Sequence, residues 1–225
     1  MAIDSVIFDW GGTLTPWHVI EPGQAWNAAV ADPEIASRLA AVESEIWIRC
    51  RDHHVAGTLD EVLASAGVAS TPEMLAAFHA WWEPHTITDP DVEPLFLALR
   101  ERGISIGVLS NTVWPGEVHR AIFERDGVDH LIDGAVYTSE IAWTKPHPEA
   151  FKAAMAAVGA SDPGRVVFVG DRLFDDIHGA KSVGMKAVHV PHSAIPVAQH
   201  GHTLGEPDAV VQRLLDLIEI VDNWR

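Results

Sequence analysis

Five short apolar runs are spread along the chain, and the last four alternate with segments of helical periodicity. The runs have the length and β-branched content of buried strands and cover residues 5–8, 105–110, 134–138, 165–170 and 186–190. Helical spacing of apolar residues is found in residues 91–103, 148–160, 176–185 and 207–224. Apolar strands that alternate with helices predict an α/β fold, with a Rossmann-like parallel sheet and helices on both faces.

The pattern between residues 15 and 88 is different, because helical periods follow one another there without a strand. The candidate helices cover residues 23–31, 32–54, 58–67 and 71–82. We therefore expect two domains, a Rossmann-like core formed by residues 1–14 and 89–225 and an all-α cap domain formed by residues 15–88. Pro16 and residues 84–90 are the expected hinges.

The composition narrows the possible partners. The chain has 225 residues, with 15 Lys and Arg against 32 Asp and Glu, and a formal net charge of −17. Such a surface repels nucleic acid. Cys50 is the only cysteine, which suits a reducing compartment. No apolar stretch reaches the ~18 residues of a membrane helix, and the N-terminus lacks the features of a signal peptide. We expect a cytoplasmic protein with no nucleic-acid or membrane partner.

Residues that could take part in one reaction follow four of the predicted strands. They are Asp9, Gly11, Gly12 and Thr13 after the first strand, Ser110 and Asn111 at the second, Lys145 after the third, and Asp171, Asp175 and Asp176 after the fourth. Alone, each has a simpler explanation, such as a helix cap, a turn residue or a solvated charge. Ligands of open α/β sheets bind outside the carboxyl ends of the strands, however, so all four sets are expected in one crevice.

This set of residue types suits phosphoryl transfer. A carboxylate such as Asp9 can attack phosphorus and form an aspartyl-phosphate. The ammonium of Lys145 and the hydroxyl of Ser110 can stabilise the charge on the phosphate. Asp9 and Asp171 can hold Mg²⁺, which prefers oxygen ligands, and a glycine-rich turn lets backbone groups approach an anion.

The motifs together resemble the haloacid dehalogenase superfamily of hydrolases. The resemblance rests on DWGGTL (9–14), LSN (109–111), KPHPEAF (145–151) and GDRLFDDIHGAKSVGM (170–185), in this order. It covers residues 1–14 and 89–192, and the helical insert lies where many members have a cap. The resemblance implies a Rossmann-like core and a Mg²⁺-dependent hydrolase.

The resemblance also implies a role for each matching residue. Asp9 would be the nucleophile and a metal ligand, Ser110 would bind phosphate, and Lys145 would neutralise both. The metal would also be bound by Asp171, Asp176 and the backbone carbonyl of Gly11. The phosphate would have Gly12, Thr13 and Asn111 as further neighbours.

Gly11 departs from the pattern of the phosphatases, which usually have an aspartate at this position to protonate the leaving group. General acid–base help is typically worth ~10²–10⁴-fold in rate. His18, Arg51, His53 and His54 are candidates to replace it. Unless another group donates the proton, we expect rates to rise steeply as the pKa of the leaving group falls, and a flat dependence would indicate a donor elsewhere.

The sequence favours a Mg²⁺-dependent phosphatase that acts on a small phosphorylated metabolite through an aspartyl-phosphate, as a monomer or homodimer. One alternative is a weak or inactive relative that binds a phosphorylated ligand. Another is a 2-haloacid dehalogenase, although that pattern lacks the metal-binding aspartate that this chain has at Asp171. The phosphonate-cleaving branch uses a cap lysine, and residues 15–88 contain no lysine, which excludes that mechanism.

Overall fold

A six-stranded parallel sheet forms the centre of the molecule in the computed structural model, which describes residues 2–16, 21, 23–191 and 204–225. The strands are β1 (Ser5–Phe8), β2 (Ser105–Ser110), β3 (Gly134–Tyr137), β4 (Val166–Gly170), β5 (Lys186–His189) and β6 (Ala209–Val210). Their order is β3-β2-β1-β4-β5-β6, and every neighbouring pair is parallel. The α/β fold expected from the sequence is confirmed, and β1 lies between β2 and β4.

Both faces of the sheet are covered by buried clusters. Successive side chains of a strand point to opposite sides, so one strand contributes to both clusters. Val6 and Phe8 belong to one buried cluster and Ile7 to another. Helix α5 (Val92–Glu101) packs on the Phe8 side, where the Phe8 and Phe96 rings are 5.3 Å apart. Helix α7 (Pro148–Ala157) packs on the Ile7 side. The central strands β1 and β4 are therefore buried along their whole length, as in other sheets covered on both faces.

The remaining helices of this part are α6 (Gly116–Arg125), α8 (Gly179–Ser182) and α9 (Leu217–Asn223). The sequence pattern did not identify α6. The single helix expected over residues 207–224 was wrong, because its first part forms β6. Asp208 explains this difference: its carboxylate accepts hydrogen bonds from Lys181 Nζ at 2.8 Å and from the Ala187 amide at 2.9 Å, which hold the segment beside β5.

Among the described residues between β1 and α5 there are four α-helices, as expected. They are α1 (Gly23–Ala29), α2 (Pro33–His53), α3 (Leu59–Ser65) and α4 (Pro72–Trp82). Asp32, Thr58 and Thr71 accept backbone hydrogen bonds at the starts of α2, α3 and α4, so the capping residues fix these boundaries. Their treatment as a separate cap domain of residues 15–88 stays a prediction.

The two chain connections between these helices and the sheet lie side by side. The Asp89 amide donates to the Leu14 carbonyl at 2.8 Å, and Thr15 Oγ1 donates to the Ile87 carbonyl at 2.7 Å. The helices therefore begin and end at one place above the sheet. Among the described residues, no helix is both long and apolar enough to cross a lipid bilayer.

Candidate active site

The turn after β1 places Asp9 at the carboxyl edge of the sheet. The Asp9 amide donates to the Val169 carbonyl of β4 at 2.9 Å, which extends the pairing of the two strands by one residue. The chain then folds back on itself, with the amides of Thr13, Leu14 and Thr15 all directed at the Trp10 carbonyl. As a result, Thr13 Oγ1 donates to Asp9 Oδ2 at 3.3 Å.

Gly12 makes this turn possible. Its φ is 92°, in the left-handed region that side chains disfavour, and its amide donates to the Thr15 carbonyl at 2.7 Å. Gly11 forms an isolated parallel bridge with Thr15 in the same turn. Both glycines thus belong to the turn that follows Asp9, as the sequence indicated.

Lys145 joins two acids that are far apart in the chain. Its ammonium lies 2.6 Å from Asp9 Oδ1 and 2.7 Å from Asp176 Oδ1. The lysine side chain is 2% exposed. A buried ammonium is costly unless it is paired, and here two carboxylates pair with it. Burial lowers the pKa of Lys145, but the charges of Asp176 and Asp9 outweigh it, so the pKa lies above its ordinary value.

Asp176 reaches the site through a six-residue π-helical turn, Leu173–His178. Its second carboxylate oxygen, Oδ2, accepts from the Arg172 amide at 2.9 Å. Gly170, at the end of β4, has no side chain, and a Cβ there would overlap the Asp176 carboxylate. The sequence Gly-Asp followed by a second Asp five residues later therefore has a steric reason for its glycine.

Asp171 differs from its neighbours because neither of its carboxylate oxygens has a hydrogen-bond partner among the described residues, although both are buried. One oxygen each of Asp9, Asp171 and Asp176 lies within 4.8 Å of the others. An unpaired buried carboxylate beside two others is unfavourable without a cation. Buried carboxylate oxygens in such a group are ligands that suit Mg²⁺, so these residues fit a divalent metal.

The pKa values show the same excess of negative charge. Burial raises the pKa of Asp9 to about 6, against the opposing effect of Lys145. Burial and the charge of Asp9 hold the pKa of Asp171 well above its ordinary value. A bound cation would favour the ionised form of both carboxylates.

Ser110 and Asn111 lie at the end of β2, next to this group. Ser110 is 1% exposed and pairs with Tyr137 of β3. Asn111 Nδ2 donates to the Lys145 carbonyl at 3.1 Å, and the Lys145 amide donates to Asn111 Oδ1 at 2.8 Å. Asn111 therefore fixes the backbone from which the Lys145 side chain extends.

Two residues of this region were missed at the sequence level. Arg172 Nη1 donates to Asp175 Oδ2 at 3.2 Å, and its guanidinium lies in the field of the neighbouring acids. His189 Nε2 lies 2.9 Å from the Asp171 carbonyl. The signals were available, since Arg172 is inside the last motif and His189 ends a parallel strand.

The candidates to replace an acid at Gly11 have different positions. His18 lies outside the described residues. Arg51 forms an ion pair with Asp52, with Nε 2.7 Å from Oδ1. His53 is exposed at the end of α2, whereas His54 is half-buried and follows it in a left-handed conformation with φ of 55°.

A family profile described as haloacid dehalogenase-like hydrolase matches residues 3–184, which is most of the chain. The chain belongs to this family of hydrolases. The resemblance seen in the four motifs is thereby confirmed. The matched residues include the four strand-end groups that the motifs indicated, from Asp9 to Asp176.

Curated relatives of this haloacid dehalogenase-like hydrolase are named as phosphatases. The glyceraldehyde 3-phosphate phosphatase of Methanopyrus kandleri is 27% identical over 97% of this chain and 97% of its own length. The N-acetylmuramic acid 6-phosphate phosphatase of Pseudomonas aeruginosa is 27% identical over 99% of this chain and 96% of its own.

Solved structures support the family fold. A phosphatase of this family from Thermococcus onnurineus has a TM-score of 0.69 and 23% identity, covering 97% of this chain and 98% of its own. The L-2-haloacid dehalogenase of Xanthobacter autotrophicus has a TM-score of 0.67 and 21% identity, covering 99% of this chain and 100% of its own. At this identity the two likenesses show the fold alone.

Proposed function

We propose that the chain is a Mg²⁺-dependent phosphatase that hydrolyses a small phosphorylated metabolite through an aspartyl-phosphate on Asp9. The proposal rests on the position of Lys145 between Asp9 and Asp176, beside Asp171, whose carboxylate oxygens have no hydrogen-bond partner in the described part of the chain. It is supported by two relatives that match nearly the whole chain and are named for the phosphate of a small sugar-like molecule.

In the first step, a carboxylate oxygen of Asp9 attacks phosphorus and the bond between phosphorus and the ester oxygen breaks. In the second, water attacks the aspartyl-phosphate, phosphate leaves and the Asp9 carboxylate is restored. Lys145 holds Asp9 in place and opposes the charge of the phosphate, while Ser110 offers its hydroxyl to a phosphate oxygen.

Asp9, Asp171 and Asp176 are the side chains that would hold Mg²⁺, with the Gly11 carbonyl as a further oxygen. When bound there, the cation supplies positive charge to the reacting carboxylate and to the phosphate. Residues 15–88 would act as a cap that closes over this edge of the sheet and excludes water.

The alternative functions are distinguished by particular residues. A 2-haloacid dehalogenase would have no use for Asp171, whose buried carboxylate finds no partner among the residues described and instead suits a cation. Gly11 favours the second alternative, a relative that binds a phosphorylated ligand and turns it over slowly. In that case an aspartyl-phosphate would accumulate on Asp9 instead of being hydrolysed.

The test is phosphate release from a panel of small phosphate esters and acyl phosphates, with Mg²⁺ and with a chelator. We expect release that requires the metal. Absence of release from every compound, with Mg²⁺ present and the protein folded, would contradict the proposed activity. Accumulation of phosphorylated protein without release would instead support the slow, ligand-binding alternative.

A further inference from the structure

Thr144, the residue before Lys145, is bound to the end of α2. Its amide donates to the His54 carbonyl at 3.0 Å, and its hydroxyl oxygen, Oγ1, donates to the Cys50 carbonyl at 3.2 Å. Thr144 is 2% exposed. Two hydrogen bonds from one buried residue therefore connect the loop that carries the lysine to the helical region formed by α1–α4.

This connection continues as a short piece of antiparallel β-structure. Val55 and Trp143 form an isolated antiparallel bridge, and the Ala56 amide donates to the Ala142 carbonyl at 3.1 Å. Arg49 of α2 donates from Nη2 to the Ala56 carbonyl, also at 3.1 Å. The segment that follows α2 is therefore held by the helix on one side and by the loop of the lysine on the other.

Lys145 itself is held by the other part of the molecule. The side chain of Asn111, at the end of β2, binds both the amide and the carbonyl of Lys145. Consecutive residues are thus bound to different structural parts, residue 144 to the helical region and residue 145 to the sheet. A displacement of α2 would reach the backbone of Lys145 through a single peptide unit.

The ammonium of Lys145 has little room for displacement. It lies 2.6 Å from Asp9 Oδ1 and 2.7 Å from Asp176 Oδ1, at the short end of the range for charged hydrogen bonds. Catalysis by a fixed charge depends on its placement, and a displacement of about 1 Å can cost ~10²-fold in rate. Contacts that fix the backbone of this lysine are therefore expected to influence the reaction.

From these contacts we infer that Thr144 is a positioning residue, which makes the placement of the Lys145 ammonium depend on the docking of α2 beside the sheet. The inference rests on the proposed phosphatase activity. Thr144 acts on the reaction through the backbone of Lys145. Docking of the helical region and alignment of the lysine are then one event, so the full catalytic charge is assembled only when α2 is in place.

Two substitutions separate the hydroxyl of Thr144 from its shape. Thr144→Val keeps the shape and removes the hydrogen bond to Cys50. The Cys50 carbonyl still accepts the His54 amide at 2.9 Å, so it keeps a partner and the fold should be retained. Thr144→Ser keeps the hydroxyl and is the conservative variant that should restore activity.

Thr86→Val is the matched control, at the second chain connection between the helices and the sheet. Thr86 is 3% exposed, and its Oγ1 donates to the Glu83 carbonyl at 3.0 Å. That carbonyl also accepts the Thr86 amide at 3.2 Å, so it keeps a partner as the Cys50 carbonyl does. The two valine variants therefore lose similar bonds, but only the bond of Thr144 lies next to Lys145.

The measurement is kcat and KM for nitrophenyl phosphate with Mg²⁺, because the leaving group of this ester needs no proton and Gly11 does not limit its rate. We expect Thr144→Val to lose ~10–10²-fold in kcat, with a smaller change in KM. Thr144→Ser and Thr86→Val should keep most of the activity. The thermal midpoints of the two valine variants should fall by similar amounts.

Arg49→Gln tests the same coupling from the other side of the bridge. Arg49 is half-buried, and it binds Glu61 Oε2 at 2.8 Å in addition to the Ala56 carbonyl. Its matched control is Glu61→Gln, which removes the ion pair and keeps the bond to Ala56. We expect a lower kcat in Arg49→Gln and an unchanged kcat in Glu61→Gln.

Three results overturn the role of Thr144 and leave the phosphatase proposal standing. The first is an unchanged kcat in Thr144→Val and Arg49→Gln. The second is an equal loss in Thr86→Val, which would indicate a general loosening of the fold. The third is a loss that Thr144→Ser does not restore, or one confined to KM. Failure of the unmodified protein to release phosphate from any substrate with Mg²⁺ would overturn both proposals.

Discussion

Asp171 is the residue with the least favourable surroundings in the metal-free site. Both of its carboxylate oxygens are buried without a partner among the described residues, and its pKa is raised by burial and by the charge of Asp9. Asp9 and Asp176 share Lys145, whereas Asp171 has no such contact. Asp171 therefore lowers the stability of the folded, metal-free protein, which is common for residues of active sites.

We predict that Asp171→Asn stabilises the metal-free protein, because it removes a buried charge. A buried polar group without a partner costs about 1–3 kcal/mol, and a charged one costs more, so a gain of about 1 kcal/mol is expected from the neutral side chain. For a chain of this size that raises the thermal midpoint by about 2–4 °C. Mg²⁺ should raise the midpoint of the unmodified protein and have little effect on the variant.

The control for this prediction is Glu124→Gln, which removes an exposed acid on α6. It should respond to Mg²⁺ as the unmodified protein does. Equal stabilisation of Asp171→Asn and the unmodified protein by Mg²⁺ would show that Asp171 does not hold the metal.

At this scale the sequence indicated which side chains meet, because each follows a strand of a parallel sheet. Asp9, Ser110 and Asp171 needed only that rule. The pairing of Lys145 with Asp176 needed the π-helical turn, which the helical pattern of residues 176–185 does not show. The contact between His189 and the Asp171 carbonyl was missed because one histidine at a strand end has many explanations.

At the scale of secondary-structure elements, helix α6 is held by the packing of a buried histidine against aromatic rings. His119 of this helix is fully buried, and its ring stacks on Tyr137 with centroids 4.4 Å apart and meets Trp10 edge-on at 4.6 Å. Burial lowers the pKa of His119 to about 4, and the charge of His79 adds to the effect. Gly116 and His119 take two of the four buried positions of this helix, so few apolar residues mark its inner face, and the sequence did not predict it.

We predict that His119 makes the fold sensitive to acid. The unfolded chain binds a proton at this residue near pH 6.5, and the folded chain does so only near pH 4. Stability is therefore lost as the pH falls between these values, by up to about 3 kcal/mol. His119→Phe, which keeps a ring in the cluster, should remove this loss, as measured by urea unfolding at a series of pH values.

The matched variant is His130→Asn, at an exposed position. Its stability should follow the pH in the same way as that of the unmodified protein. Parallel curves for His119→Phe and the unmodified protein would show that His119 is not the group responsible.

At the scale of the whole molecule, the candidate site is built from four segments that follow strands of the sheet. The parallel sheet covered on both faces was accessible from the alternation of strands and helices. The bridge between Val55 and Trp143 was not, because it joins two short loops with no pattern of their own. Such contacts follow from how the helices pack against the sheet, and the spacing of apolar residues along the sequence does not predict that packing.

This arrangement places the proposed nucleophile at the edge of the sheet, and the bridge between Val55 and Trp143 holds the helical region beside the Lys145 segment. Substrate specificity would then depend on residues of both parts, as in sites formed between two structural units. The proposed function depends on one chemical step, the bonding of phosphorus to a carboxylate oxygen of Asp9.

The most direct test of that claim is to stop the reaction with acid during turnover and locate the phosphate by mass spectrometry of the peptides. We predict phosphate on the peptide that contains Asp9 in the unmodified protein and in Asp4→Asn, which changes an acid just before β1. Asp9→Asn should show neither the phosphorylated peptide nor phosphate release. Undiminished release by Asp9→Asn, or phosphate on another residue, would contradict the account.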